Sequence, residues 1–290
     1  MQVGHDQATH RKSVGESSKM SGNSRRHEAR SGPPWPPLRV IVAGLDRLIE
    51  FWCRGHRKAD ARMTSFKTIR ARAEKRKGGP RALEKLMPAK PDLKRLARLG
   101  DDRILAEMTR RVFCAGFAWS VIDSKWDGFE DAFLHFQPAK LTFQPEDYWE
   151  GLLRDARIVR NGAKIMSVRD NAAFVQEIAK QHGSFGRFLA NWPSSDEIGL
   201  LDLLNKRGSR LGGNTGQMLL RFVGWDGFVT SKDVVVCLRD AGLDIAEEVK
   251  SKGDLAKVQA QFNAWAEETG LSYTYLSRIC ALSVGENRGE

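Results

Sequence analysis

From Asp101 onward the apolar residues of this chain recur three and four positions apart. Ile104, Leu105, Met108 and Val112 form one such stripe. Tyr148, Trp149, Leu152 and Leu153 form another, and Leu200, Leu201, Leu203 and Leu204 a third. That period is helical, because residues i, i+3 and i+4 share one face of a helix. No segment alternates apolar and polar residues over the length of a half-buried strand. The pattern predicts an all-α bundle without internal repeats.

Capping and breaking residues set the expected boundaries. Ser65 is placed to start a helix running through Arg76, stopped by Gly78-Gly79-Pro80. Pro88 to Asp92 reads as a linker. Asp127-Gly-Phe-Glu130 has the form of a capping box, with Phe129, Phe133 and Phe136 turned inward. Pro145 suits the first position of the next helix. Asn161 is placed to cap a helix reaching His182, with Gly183 as its stop, and Phe185 to Trp192 makes a short helix closed by Pro193. Further helices are expected over Asp233–Ala241, Leu255–Glu268 and Tyr273–Leu282.

The first part of the chain reads differently. Residues 1–36 are rich in Ser, Gly, His and Arg, run through Pro33-Pro-Trp-Pro-Pro37 and show no apolar period, so disorder is expected there. Leu38 to Cys53 is an apolar island that suits a short helix. The division expected is a disordered basic extension over 1–62 and a helical domain over 63–290, with Met63 as the natural start. No apolar run approaches the ~18 residues of a membrane span, and the N-terminus lacks the apolar core of a secretory signal. Four scattered cysteines without a C-x-x-C pair suit free thiols in a reducing compartment. A cytoplasmic, bacterial-type monomer with no membrane partner is the expectation.

Net charge is +11 over 290 residues, and its distribution changes its meaning. Residues 1–62 carry 12 Lys+Arg against 6 Asp+Glu, and residues 63–99 carry 12 against 3. Residues 100–290 carry 23 against 27 and are mildly acidic. A nucleic-acid footprint on the helical body must therefore be a local patch. Arg70, Arg72, Lys75, Arg76 and Lys77 could track phosphates from the first helix, or simply face water.

One such patch is Leu204-Asn-Lys-Arg-Gly-Ser-Arg-Leu-Gly-Gly-Asn-Thr-Gly-Gln-Met-Leu-Leu-Arg-Phe-Val223. It reads as helix, basic glycine-rich turn, helix. Gly208 suits a helix stop, and Asn214 or Thr215 a cap for the second helix. Backbone N–H groups at a helix start, ringed by Lys206, Arg207 and Arg210, suit a phosphate. The same residues also suit a plain helix connection whose charges face water.

Three blocks in this order resemble the helix-hairpin-helix DNA glycosylase superfamily and, within it, the 3-methyladenine DNA glycosylase I family. They are Arg111-Val-Phe-Cys-Ala-Gly-Phe-Ala-Trp119 with Phe129 to Pro138 downstream, Arg157-Ile-Val-Arg-Asn-Gly-Ala-Lys-Ile165, and the hairpin. The resemblance runs from about Asp101 to Leu243. It implies an enzyme that binds double-stranded DNA containing damaged bases, flips out an alkylated purine and hydrolyses its N-glycosidic bond. The hairpin residues Lys206, Arg207, Arg210, Gly212, Gly213, Thr215 and Gly216 would hold DNA, joined by Asn161 and Lys164. Arg111, Phe113, Phe117 and Trp119 would wall the base pocket. Trp119 matches the family's stacking tryptophan. Arg111 stands where the family carries a base-reading glutamate, and a cation suits a positively charged alkylated base poorly.

Asp233 is the candidate catalytic carboxylate, in the first turn of the helix after the hairpin; aligned on the downstream valines, the family's position falls on Ser231 instead. An aspartate there also simply complements a helix dipole. The family's zinc site would use the positions of Asp233 and Cys237 with an N-terminal Cys/His pair. That pair is missing near Asp101–Trp119, so no metal and no cofactor are expected. His135 is expected to be structural. Two other readings stand beside the glycosylase of alkylated purines. One is a non-catalytic DNA-binding protein that keeps the hairpin. The other is a glycosylase whose Arg111 hydrogen-bonds a neutral oxidised or deaminated base.

Overall fold

The computed structural model describes residues 63–285; the expectations for the extension and for Leu38–Cys53 lie outside them. Among the described residues all regular structure is helical, as the apolar period requires. Helix α1 (Phe66–Lys77) and α2 (Pro80–Lys85) come first, and α3 (Leu93–Ala97) follows the linker. Then come α4 (Asp101–Cys114), α5 (Trp119–Asp123), α6 (Trp126–Ala132), α7 (Pro138–Thr142) and α8 (Glu146–Leu152). The long α9 (Gly162–His182) leads to α10 (Phe185–Asn191) and to the pair α11 (Glu197–Arg207) and α12 (Asn214–Val223). The chain closes with α13 (Lys232–Asp240), α14 (Lys252–Thr269) and α15 (Tyr273–Ser283).

The first stripe is a buried face throughout; in the other two Trp149, Leu152, Leu200 and Leu204 are buried while Leu153 is exposed. Ile104, Leu105, Met108 and Val112 of α4 are buried, as are Phe129, Phe133 and Phe136. Asn161 caps α9, its side chain accepting from the Lys164 N–H at 3.2 Å, and Gly183 ends that helix. Two boundaries differ from expectation. The box at Asp127–Glu130 does not form, because Glu130 is drawn into other bonds. Its carboxylate accepts from Trp126 Nε1 at 3.0 Å and from both Arg103 terminal nitrogens at 2.8 and 3.0 Å, and α6 starts at Trp126. Pro145 lies one residue before α8, as its N-cap. His135 is exposed, with φ of 53°, beside Glu130.

Two hydrophobic cores form in this body. The first is built from α3 to α12, and Met108, Phe129, Trp149, Val175, Leu204 and Leu220 lie in it. The second gathers α1 and α2 with α13, α14 and α15 around Phe66, Leu238, Phe262 and Leu276. The segment between α12 and α13 joins them through buried polar bonds. Gln217 Oε1 accepts from the Thr230 N–H and hydroxyl at 3.2 and 2.9 Å. Glu197 Oε2 accepts from the Phe228 N–H at 2.7 Å.

Glu197 is fully buried, and that burial holds its carboxyl well above the usual glutamate range, outweighing the Phe228 N–H and nearby Arg221. A carboxyl raised by folding stabilises the native state below its unfolded pKa and loses that contribution as pH rises through the folded value. Glu197→Gln keeps the acceptor for Phe228 and cannot ionise. Its melting temperature should exceed that of the wild type at neutral pH, with the gap closing in acid. Paired melting curves across that range test this, and a pH-independent gap would refute it.

Candidate nucleic-acid interface and base site

The hairpin follows from its glycines. Helix α11 ends at Arg207, and Gly208 continues in extended backbone rather than as a left-handed stop. Helix α12 is not capped by Asn214 or Thr215. Its N-cap is Gly213, at φ 57° and ψ −135°, a region open to glycine and strained for other residues. With no side-chain cap, the first-turn N–H groups of α12 are left for another acceptor, and an anion suits them by charge and direction. Gly216 lets this turn close on the loop, since a Cβ there would sit 2.6 Å from the Leu211 carbonyl oxygen.

Two polar ties hold the loop against α9. Buried Asn171 donates from Nδ2 to the Ser209 carbonyl at 3.0 Å and accepts from the Ser209 N–H at 2.8 Å. Arg210 donates from Nε to the Ala163 carbonyl at 3.2 Å. The hairpin and the Asn161-capped start of α9 are thereby brought together. Asn171 was missed by sequence reasoning, because an asparagine inside a helical stripe gives no sign of which loop it will clamp.

The expected cations divide into two kinds. Lys206 pairs with Asp202 at 2.5 Å, and Arg207 with Glu177 at 2.5 Å. Surface pairs of this sort contribute only about 0–1 kcal/mol, so a phosphate can replace the carboxylate. Lys164 is different. Its ammonium is buried and donates to the carbonyls of Phe113 and Ala115 at 3.1 and 2.6 Å, closing the C-terminal end of α4. Burial first, then the nearby Arg210 charge, lowers its pKa. It therefore belongs to the scaffold rather than to a phosphate row. In α1, Arg70 pairs with Glu74, Arg72 reaches Asp240, Cys237 and Ser283, and Arg76 donates to the Gly285 carbonyl. Arg72 and Arg76 thus tie α1 to α13 and to the end of α15.

The four residues expected to wall a base pocket also separate. Phe113 is wholly buried and packs edge-on to Phe129, so it is a core residue. Phe117 and Trp119 are 40% and 45% exposed. Trp119 meets Phe222, at the end of α12, with centroids 5.6 Å apart. Phe222 is 48% exposed and was not foreseen, since one more apolar residue on an amphipathic helix carries no separate signal. Beneath the pair lies Arg111, only 5% exposed, its guanidinium carbon 3.9 Å from the Phe222 centroid and 4.8 Å from that of Trp119. Arg111 Nε is 2.6 Å from Glu107 Oε1, a close ion pair whose geometry is not that of a hydrogen bond. Burial raises the Glu107 carboxyl, against the opposing pull of Arg111 and Arg110.

Asp233 lies in the exposed first turn of α13, where its carboxylate lies against Gly285. Ser231 is the N-cap of α13, its hydroxyl accepting from the Val234 N–H at 3.3 Å. A neutral hydroxyl engaged in capping leaves Asp233 as the carboxylate of this turn. Cys237, one turn on, is buried with its thiol pushed down to about 7, chiefly by a hydrogen bond from Cys280, with Ser283 and Arg72 adding to it. Arg72 Nη2 stands 3.7 Å from this sulfur. A guanidinium in that place supplies the positive charge itself, and the donor set does not fit a zinc ion. A cavity of about 510 Å³ lies elsewhere, between the linker and the start of α15, lined by Leu83, Met87, Asp226 and Tyr275 among others.

Helix, glycine turn, open helix start and an exposed aromatic pair define an all-helical hairpin fold. Residues 97–199 match the family model described as methyladenine glycosylase. The blocks at Arg111–Trp119 and Arg157–Ile165 fall inside that match, while the hairpin and Asp233 lie beyond its end. The chain is also similar to a solved 3-methyladenine DNA glycosylase I, with 20% identity, a TM-score of 0.39, and coverage of 47% of this chain and 81% of that one. A 3-methyladenine DNA glycosylase I from Staphylococcus aureus matches at 20% identity and a TM-score of 0.39, over 53% of this chain and 85% of the other. The chain thus resembles the methyladenine glycosylases. Among the described residues no helix is long and apolar enough to cross a membrane.

Proposed function

We propose that the protein is a DNA-repair N-glycosylase. It binds damaged duplex DNA as a monomer in the cytoplasm, flips the damaged purine out of the stack and hydrolyses its glycosidic bond. The observation that carries this reading is that α12 offers both halves of the task. Its uncapped start suits a phosphate, and its far end holds Phe222 against Trp119. Asn214 and Phe222 are about 12 Å apart along the helix, at ~1.5 Å per residue, so one rigid element relates the backbone grip to the base site. Exposed aromatic faces suit a base removed from the stack. Asp233 is assigned to the cationic sugar that forms as the bond breaks. The resemblance makes alkylated purines the first substrates to try.

Incubation with methylated genomic DNA, followed by identification of released bases by mass, tests this reading, and absence of any released base from damaged DNA would refute it. A second reading, a DNA-binding protein without excision activity, is favoured by Arg111 lying beneath the ring that should receive the base; binding without release in the same assay is its signature. Trp119→Ala should reduce single-turnover release by about 5- to 150-fold, the equivalent of ~1–3 kcal/mol of stacking, while duplex affinity stays. If the variant instead melts before activity is lost, Trp119 is a core residue and the base site lies elsewhere.

A further inference from the structure

Two thiols meet beneath Arg72 in the second core. Cys237 of α13 and Cys280 of α15 are both fully buried, on helices packed against one another. The Cys280 thiol donates a hydrogen bond to the Cys237 sulfur. Arg72 of α1 brings Nη2 to 3.7 Å from the same sulfur, and the buried Ser283 hydroxyl stands 3.4 Å from it. Arg72 Nη2 also donates to Ser283 Oγ at 3.2 Å, which fixes the guanidinium and the hydroxyl on one another. Donors from α1 and α15 thus converge on one sulfur of α13. A cation and hydrogen-bond donors around a sulfur favour its thiolate, the nucleophilic form. The partner thiol keeps its proton, since burial and its bond to Cys237 hold Cys280 well above the usual thiol range. The Arg72 side chain is 38% exposed, so its guanidinium is the layer between the Cys237 sulfur and solvent. A swing of that one side chain admits a molecule as small as hydrogen peroxide.

We propose that Cys237 and Cys280 form a peroxide-responsive dithiol, in which Cys237 is the attacking sulfur, Cys280 resolves it and Arg72 activates it. The Cys237 thiolate attacks one peroxide oxygen. The O–O bond breaks, an S–O bond forms, and the departing hydroxide takes up a proton to leave as water, with Cys237 as the sulfenic acid. The Cys280 sulfur then displaces the sulfenic hydroxyl, which leaves as a second water with the Cys280 proton. The two thiols are oxidised to one disulfide and one peroxide is reduced to two waters. Thiol reductants reverse the bond by exchange. The product ties α13 to α15 one turn beyond Asp233.

The full chain is treated with hydrogen peroxide at neutral pH, quenched with catalase and unfolded in excess alkylating agent, and its four cysteines are followed by peptide mass. Peptides carrying Cys237 and Cys280 should appear joined and lighter by two hydrogens, and should separate again with dithiothreitol. Cys114, in the other core and with its thiol raised by burial, should remain open to alkylation at that time. Cys280→Ser should stop the reaction at the sulfenic acid, trapped on Cys237 by a 1,3-diketone. Arg72→Met should slow loss of the Cys237 thiol several-fold, and Arg72→Lys, which returns the charge, should recover part of the rate. Cys237 and Cys280 still alkylated after Cys114 is consumed would overturn the proposal. So would Cys237 joined to Cys53, or an unchanged rate in a folded Arg72→Met variant. If Arg72→Met does not fold, the joined peptide in the wild type decides alone.

Discussion

Replacing Lys206, Arg207 and Arg210 together with alanine should weaken binding to every duplex alike and flatten its dependence on salt. Each phosphate neutralised by a protein cation contributes about −0.9 to the slope of log affinity against log salt. Loss of all three contacts should therefore lower the slope by up to about 3. The pairs of Lys206 with Asp202 and of Arg207 with Glu177 are surface pairs worth about 0–1 kcal/mol each, and although Arg210 also gives up its bond to the Ala163 carbonyl, Asn171 still clamps the loop at Ser209. Titrations of labelled duplex at several salt concentrations measure the slope directly. An unchanged slope would move the anchor away from the hairpin, with the basic residues before Gly100 as the next candidates.

Asp233→Asn should slow single-turnover base release by several kcal/mol of barrier, each ~1.4 kcal/mol being tenfold. The substitution keeps size and shape and removes only the charge that would face a cationic sugar. Its effect should be largest on neutral lesions, whose glycosidic bond needs the most help, and smallest on N3- or N7-alkylated purines, whose own charge weakens the bond. The alternative is that Asp233 only complements the start of α13, where an acidic residue is worth about 0.3–1 kcal/mol of stability. Its exposure and its place against Gly285 fit that role as well. Measuring melting temperature and release rate on the same variant separates the two. A lowered melting temperature with unchanged chemistry would remove Asp233 from the mechanism.

The helices were legible because burial imposes a period on the chain. α9, bounded by Asn161 and Gly183, is the clearest case, since its cap and its stop both agree. The sequence misled where a side chain had two uses. Glu130 has the spacing of a capping box but is engaged by Arg103 and Trp126 across the fold. Lys164 looked like a phosphate ligand, yet its ammonium turns inward to the end of α4. Asn214 and Thr215 have the chemistry of caps, but the backbone turns one residue earlier, at Gly213. Trp119 and Arg111 were singled out by the family resemblance, whereas Phe222 joins them only through the packing of α12 against α4. Contacts of that kind depend on where helices cross, and local sequence does not record crossings.

The clamp of Asn171 on Ser209 has a kinetic consequence. Ordering a single residue from a mobile state costs about 1–2 kcal/mol, and a free loop across Gly208–Gly213 would incur that cost for each residue when DNA arrives. Here the loop is tied through both its N–H and its carbonyl at Ser209, and again through Arg210 to Ala163. If the hairpin grips DNA as proposed, the encounter involves no folding step in this loop, and its rate is set by diffusion and by long-range attraction of the phosphates. A protein searching a genome for rare lesions gains from such a grip, which engages and lets go at each trial position without reorganising its backbone.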